Sequence, residues 1–126
     1  MSDAVEDQLK SFQGSTRLLI VFGPSETDQQ VTTQLENFRH NHDVLNERDV
    51  RVFSVLESAA PTAGGTPADW RRRFDVGPNN FTVVLVGKDG TEKQRWIQPV
   101  SLQEVQTLVD AMPMRQAEMR QEETRG

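Results

Sequence analysis

Residues 81–97 have the sequence FTVVLVGKDGTEKQRWI, and this stretch decides the fold. It opens with an unbroken β-prone apolar run, whereas polar and apolar residues alternate from Thr91 to Ile97. A turn from Gly87 to Gly90 joins the two halves. A glycine-ended turn between a buried strand and an exposed one predicts a β-hairpin. The turn is not a phosphate-binding loop, because such a loop needs a helix directly after it.

Two further strands are predicted upstream of the hairpin. Residues 17–22 form a continuous apolar run, which is typical of a strand buried on both faces of a sheet, and residues 49–57 form the second strand. Between them we predict one long amphipathic helix, from an N-cap at Ser25 to Asn46. Its apolar stripe consists of Val31, Leu35, Phe38 and Leu45, with His42 on the same face.

Three more helices complete the pattern. One is short, at residues 3–10, and another begins at Pro67, a residue that suits the first helical position. The last helix follows Ser101, which forms a capping box with Glu104. Pro113 ends or kinks this helix, because proline lacks the backbone N–H that a helix interior needs.

The elements follow the order β-α-β-α-β-β-α after the first short helix. This order predicts an α/β, thioredoxin-like fold, in which helices cover both faces of a mixed four-stranded sheet. We expect a single domain over residues 1–126, with a core at about 15–112 and a polar C-terminal tail at 116–126. The loop at 58–66 is long and irregular enough to be a mobile lid or an insertion.

The composition excludes several chemistries. The chain has 126 residues, a formal net charge of −5 and no cysteine, so it cannot be a dithiol oxidoreductase. The negative charge argues against nucleic-acid binding, and no apolar run approaches the roughly 20 residues that cross a bilayer. Residues 1–13 are too acidic and polar for a signal peptide. We expect a soluble protein without membrane insertion, periplasmic or secreted if a leader had been removed.

Three segments carry distinctive motifs. They are residues 81–90 with Lys93, residues 110–119 with their Met-Pro-Met-Arg run, and residues 46–50 before the second strand. Together, from about residue 16 to 119, they resemble the P-DUDES family of domains of unknown function. The resemblance implies a thioredoxin-like fold and no established reaction. The family occurs as small bacterial proteins and as modules of sushi-repeat-containing and coiled-coil-domain-containing matrix proteins, and its extracellular-matrix, adhesion and cell-surface partners imply a binding module.

The first strand ends where a thioredoxin-like redox enzyme carries a low-pKa thiolate, at the N-terminus of the next helix. Here that position holds a serine, whose hydroxyl is not ionised at neutral pH without a strong base. Phe81 occupies the position before the third strand where such folds have a cis-proline. Pro78 lies three residues earlier, so a cis-proline at this shifted position is an open alternative. A small-anion-binding site or a cysteine-independent enzyme at this pole is the alternative function. Its candidate ligand-binding residues are Ser25, Thr27, Asp28, Pro78 and Phe81.

Both histidines lie on the predicted long helix. His40 and His42 are two positions apart, so their rings point in different directions and share a metal only if the helix ends between them. We therefore predict no metal site, and we expect His42 to be partly buried on the apolar face.

A surface for a protein partner is predicted in the second half of the chain. Arginine suits pairing with carboxylate, sulfate or phosphate groups, so polyanion binding is an open alternative. The simpler interpretation of the arginine run is a solvated helix end that pairs with neighbouring aspartates. The residues of this candidate surface are Arg71, Arg72, Arg73, Met114 and Arg115.

The leading hypothesis is a non-enzymatic interaction module with an unidentified protein partner and no cofactor. Exposed Trp70, Trp96 or Met114 would favour it, because large exposed apolar side chains mark protein contacts. A solvent-filled pocket beside Ser25 would favour the alternative instead.

Overall fold

The computed structural model describes residues 4–58 and 65–125. Residues 59–64, in the predicted lid or insertion, lie outside the described residues, so that expectation stays a prediction. The elements are α1 (Ala4–Phe12), β1 (Arg17–Gly23), α2 (Gln29–His40), α3 (His42–Glu47), β2 (Val50–Leu56), α4 (Pro67–Phe74), β3 (Thr82–Val86), β4 (Glu92–Trp96), α5 (Leu102–Asp110) and α6 (Pro113–Arg125).

The four strands form one mixed sheet in the order β2-β1-β3-β4. β1 runs parallel to β2 and antiparallel to β3, and β4 returns antiparallel to β3 as the second half of the predicted hairpin. At the centre of the sheet, Ile20 pairs with Phe53 on one side and Val84 on the other. The thioredoxin-like α/β fold predicted from the sequence is confirmed.

The unbroken apolar run of β1 is explained by two hydrophobic cores, one on each face of the sheet. Ile20 points into the core beneath α1 and α4, whereas Leu19 and Val21 point into the core beneath α2 and α5. In the first core, the rings of Trp70 and Phe74 stack with centroids 6.3 Å apart. Burying one such large apolar side chain contributes about 1.5–3 kcal/mol, so both cores stabilise the central strand.

The predicted long helix is two helices, and its N-cap is Asp28 rather than Ser25. The Asp28 carboxylate accepts from the backbone N–H of Val31 at 3.2 Å. The break lies at Asn41, whose φ of −118° and ψ of 26° leave the helical region. Its side chain donates to the carbonyl of Asn37 at 2.7 Å, and such local bonds from asparagine compete with helical ones.

The predicted N-cap of α5 at Ser101 is confirmed, whereas Glu104, the other residue of the predicted capping box, accepts a hydrogen bond from Trp96 Nε1. The Ser101 hydroxyl accepts from the backbone N–H of Glu104 at 3.2 Å. After α5 ends, Pro113 begins a new helix, α6, which includes the residues of the predicted polar tail as far as Arg125. Proline suits this position because the first helical N–H has no intrahelical partner. Two side chains of α6, Arg115 and Glu118, hold it against the domain.

Candidate functional site

The pole at the end of β1, where the sequence predicts a ligand site, is built from a local turn. The Ser25 and Thr27 hydroxyls lie 3.0 Å apart, and the Thr32 hydroxyl donates to the Glu26 carbonyl at 2.8 Å. Asp28 is engaged in capping α2. The polar groups of this loop therefore stabilise its own turn and the helix that follows.

The buried side chain of Arg71 bonds to the backbone at this pole. Its Nη2 donates to the Gly23 carbonyl at 3.0 Å, and its Nη1 donates to the Gly77 carbonyl at 2.6 Å. Its Nε lies 2.6 Å from the Glu57 carboxylate. These four residues form what we call the Arg71 clamp, which ties the ends of β1 and β2 to the loop before β3. The side chain of Arg71 is 5 % exposed, so its predicted place on a partner surface is wrong.

The five candidate ligand-binding residues do not share one environment. Ser25 and Thr27 are the pair that a hydrogen bond joins. Phe81 is buried in the core beneath α2 and α5, whereas Pro78 is exposed in the turn before β3. Among the described residues no peptide bond is cis, so the shifted cis-proline at Pro78 is not present.

The candidate partner surface is also divided. Arg115 is buried with 3 % of its side chain exposed, so it too is wrongly placed on a surface. Arg72 is 78 % exposed, and Arg73 pairs with Glu6 across the gap to α1. Met114 is 45 % exposed, as the surface prediction requires.

The two tryptophans differ from each other. Trp70 is fully buried, so it offers nothing to a partner, while Trp96 is half-buried on the edge strand β4.

The histidines lie on either side of the helix break at Asn41. Both are exposed, and His42 Nε2 lies 3.0 Å from the Asp43 carboxylate. The expectation that His42 is partly buried is therefore wrong, because the break turns it out of the apolar stripe. Within residues 4–58 and 65–125, no group of three or more histidine, aspartate or glutamate side chains could hold a metal ion.

A cluster of buried charges lies at the opposite end of the sheet, where β1 begins and β3 ends. We call it the basal cluster. Glu118 of α6 is at its centre: Arg17 Nη1 and Nη2 donate to this carboxylate at 3.3 and 3.1 Å. Lys88, in the hairpin turn, donates to Glu118 at 2.5 Å and to Asp49 at 2.9 Å. Arg17 is fully buried and its Nη1 also donates to the Arg48 carbonyl at 2.7 Å.

The other half of the basal cluster joins α5 to α3 and α6. Arg48 donates two hydrogen bonds to the Asp110 carboxylate, at 2.9 and 3.1 Å. Arg115 lies 3.4 Å from the same carboxylate and 3.6 Å from Glu118, which is three residues further along α6. The cluster therefore holds the Met-Pro-Met-Arg run through Asp110 before it and Arg115 at its end.

The cluster lowers the pKa of its two central acids. A bidentate hydrogen bond from Arg48 lowers the pKa of Asp110 below its usual value. Burial alone would raise the pKa of Glu118, but hydrogen bonds from Arg17 and Lys88 outweigh it and lower the pKa. Both carboxylates are therefore ionised at neutral pH and hold their cations in place.

Sequence reasoning missed the basal cluster, although most of its residues lie in the three motif segments. Lys88 belongs to residues 81–90, Arg48 to residues 46–50, and Glu118 to residues 110–119. The motifs were visible separately. Their convergence was not, because nothing in a local pattern shows which distant charges meet.

A cavity of about 430 Å³ opens beside the basal cluster. It lies between the hairpin, the end of α5 and the start of α6, and its polar lining includes Arg17 and Lys93. Gln94 and Leu108 line both this cavity and a neighbouring hollow along α5. Its apolar wall is formed by Leu85, Leu108, Ala111, Met112, Pro113 and Met114.

A groove continues from there along β4. Ser101 and Glu104 line both the hollow along α5 and a further hollow beside Trp96 and Ile97. Ile97, at the far end, is 74 % exposed. We call this path the β4–α5 groove.

Solved structures of similar fold include a thioredoxin peroxidase and a thioredoxin. Thioredoxin peroxidase I from Plasmodium yoelii superposes with a TM-score of 0.64 at 19 % identity, covering 82 % of this chain and 76 % of that one. Oxidised thioredoxin O2 from Arabidopsis thaliana gives a TM-score of 0.54 at 12 % identity, covering 86 % of this chain and 85 % of that one. At such identities the likeness shows the thioredoxin-like fold alone.

Curated relatives are much longer than this chain. Coiled-coil domain-containing protein 80 from Danio rerio is 28 % identical, over 98 % of this chain and 17 % of its own length. Sushi repeat-containing protein SRPX2 from Rattus norvegicus is 23 % identical, over 81 % of this chain and 24 % of its own length. The chain thus corresponds to less than a quarter of either protein.

The remaining findings concern membranes and family. No helix within the described ranges is both long and apolar enough to cross a bilayer. The model of one family, described as a domain of unknown function (DUF4174), matches residues 8–118, which include α6 as far as Glu118. This chain therefore belongs to the DUF4174 family and has a thioredoxin-like fold without cysteine.

Proposed function

We propose that this chain is a non-enzymatic interaction module that binds an extended segment of a partner protein along the β4–α5 groove. The observation that carries the proposal is the exposure of Ile97, 74 % of which faces solvent beside half-buried Trp96. Exposed large apolar side chains next to an aromatic residue are typical of the centres of protein contacts.

The position of β4 supports an extended segment as the occupant. β4 is the last strand of the sheet, so one row of its backbone N–H and C=O groups has no neighbouring strand within the described sheet. Such an edge can accept a further strand from a partner, with backbone bonds supplying affinity and side-chain pockets supplying specificity. The hollows along the groove lie beside this edge.

The charges of the groove and its adjoining cavity favour an acidic segment. Four basic side chains and two acidic ones line the three hollows, in a chain whose formal net charge is −5. Arg17 and Lys88 are buried, so Lys93 and Arg95 are the lining cations that the carboxylates of a partner would meet. The basic residues are Arg17, Lys88, Lys93 and Arg95, and the acidic ones are Asp89 and Glu104.

The other pole of the domain supports a role without redox chemistry. The chain has no cysteine, and the Arg71 clamp occupies the pole where related folds place a thiolate. The relatives support a module, because this chain matches only 17 % and 24 % of their lengths. The P-DUDES resemblance stays a prediction and supports the same interpretation.

Site-specific photo-cross-linking tests the proposal. A benzophenone side chain is placed at position 97 and, as a control, at exposed Glu36 on α2, and cross-linking is done in the native host. We expect a protein that cross-links from position 97 and not from position 36. No such protein, or equal cross-linking from both positions, would contradict the proposal.

The captured protein is then purified and its affinity measured. We expect Ile97→Ser to weaken binding by about tenfold or more, as for a central contact residue, and Glu36→Ser to leave it unchanged. Affinity is also expected to fall as salt increases, because salt screens the basic lining. Unchanged binding by Ile97→Ser would overturn the groove as the contact site.

A further inference from the structure

The outer edge of β4 is covered at one point by a side chain of the same strand. Gln94 Oε1 accepts a hydrogen bond from the backbone N–H of Arg95 at 3.1 Å. β4 has β3 on one side and no neighbouring strand on the other within the described sheet. In an antiparallel pair, alternate residues turn their backbone groups away from the partner strand. The bond to Gln94 therefore indicates that the Arg95 N–H belongs to this outer row.

The register of the hairpin gives the same orientation. The Gly87 N–H, directly after β3, donates to the Thr91 carbonyl at 2.9 Å and so faces β4. Backbone groups alternate along a strand, so those of Val84, three residues earlier, face β1. Arg95 is the residue of β4 that pairs with Val84. Because opposed residues of an antiparallel pair exchange both hydrogen bonds or neither, the N–H and C=O of Arg95 face outward.

The Gln94 side chain is a replaceable acceptor for this N–H. Gln94 is exposed, and so is the bond that it makes. Holding a long side chain in one position costs rotamer freedom, which offsets much of what an exposed hydrogen bond contributes. A backbone carbonyl of an added strand is held in place by its own strand and offers the same N–H an equivalent acceptor. Exchanging one acceptor for the other therefore loses no hydrogen bond.

Charged side chains protect the rest of this edge. Lys93 Nζ lies 2.6 Å from the Asp89 carboxylate, and Arg95 Nε lies 2.7 Å from the Glu92 carboxylate. Charges on an edge strand prevent it from pairing with strands of other proteins without selection. The covered N–H and the charged neighbours act in the same sense, and a selective binding edge needs such protection while it is free.

We propose that Gln94 is the gate of this edge: its side chain covers the Arg95 N–H in the free chain, and the partner segment displaces it by bonding a backbone carbonyl to that N–H. This role of Gln94 rests on the proposed binding along the β4–α5 groove, and it adds the position at which the backbone of the partner bonds. Gln94 also lines the hollow along α5, so the gate lies within that groove.

Hydrogen exchange of the Arg95 amide, followed by NMR on the full chain, tests the gate in the free protein. Gln94→Ala and Gln94→Met differ in side-chain size, but both remove the carbonyl acceptor. Relative to the intrinsic rate of each sequence, we expect exchange about threefold or more faster in both variants than in wild type. The control Gln103→Ala removes the same amide group from the same hollow and should leave the rate unchanged. Unchanged exchange in both Gln94 variants would overturn the gate.

The protein captured by cross-linking from position 97 is the probe for the bound state. We expect both Gln94 variants to bind it about two- to fivefold more tightly than wild type, since the edge no longer has to be uncovered first. In the complex, the Arg95 amide of the wild-type chain should exchange about tenfold or more slowly than in the free chain, because the carbonyl of the partner protects it. Unchanged affinity of both variants, or an Arg95 exchange rate that binding does not alter, would overturn the proposal.

Ile97→Ser separates this proposal from the proposed function. Weaker binding by Ile97→Ser together with no gain from either Gln94 variant would overturn the gate and leave the groove as the contact site. Capture of no protein from position 97 would overturn both the groove and the bond of a partner to Arg95. The exchange rates of the free chain would then still decide whether Gln94 covers the edge.

Discussion

The two ends of the sheet use buried arginine differently. At the end of β1, all three nitrogen groups of Arg71 lie within 3.0 Å of an oxygen partner. At its beginning, Arg17 is as deeply buried, and its Nη1 and Nη2 bond to the Arg48 carbonyl and to the Glu118 carboxylate of α6. Buried charge by itself therefore does not mark a binding site.

Disrupting the Arg71 clamp should have the largest effect on stability. Arg71→Met would leave the Gly23 and Gly77 carbonyls and the Glu57 carboxylate without their partner. We expect the free energy of unfolding to fall by about 3–5 kcal/mol, measured by urea denaturation. The control Arg72→Met changes a side chain that is 78 % exposed and should stay within about 0.5 kcal/mol of wild type. Similar losses in both variants would contradict the structural role of the clamp.

Weakening the basal end should cost less. Glu118→Gln keeps the size of the side chain but replaces the charged acceptor of Arg17 and Lys88 with a neutral amide. We expect a loss of about 1–3 kcal/mol in the same denaturation experiment. The control Glu122→Gln, on the same helix and 55 % exposed, should change stability by less than about 0.5 kcal/mol. If the two variants behave alike, Glu118 does not hold α6 to the domain.

A still smaller effect separates the two roles considered for the loop after β1. Asp28→Ala removes the N-cap of α2 and should cost about 1 kcal/mol of unfolding free energy. Ser25→Ala removes a hydroxyl that bonds only to Thr27 in the described structure and should cost less than about 0.5 kcal/mol. A larger loss from Ser25→Ala than from Asp28→Ala would contradict the assignment of the cap.

The smallest expected effect is a change in acid sensitivity. The folded-state pKa of Glu118 lies below its ordinary value of 4.5, so the unfolded chain binds more protons as the pH falls through this range. The stabilisation is complete above pH 4.5 and is lost as the pH falls through the folded-state pKa. Thermal melts over this range should therefore show a shallower loss of stability for Glu118→Gln than for wild type. Glu122→Gln should follow wild type, and a parallel acid limb for Glu118→Gln would contradict the pairing.

Elements set by close neighbours were predictable from the sequence. The hairpin at residues 81–97, the buried run of β1 and the N-cap at Ser101 each depend on residues a few positions apart. The break at Asn41 was not predictable, because the apolar stripe continues past it and shows no sign of the side-chain bond that Asn41 makes to Asn37. The basal cluster was even less accessible, since Arg17 and Glu118 lie 101 residues apart.

The sequence by itself determined that the chain lacks thiol chemistry, that β1 is buried on both faces, and that a hairpin closes the sheet. Only the tertiary structure decided what each charged residue does. Arg71, Arg72 and Arg73 are identical neighbours, yet the first is buried and the second is 78 % exposed. Successive residues on a helix point in directions about 100° apart, so their fates depend on what packs against each side of α4. Periodicity is local, whereas the burial of a charge depends on partners that distant segments supply.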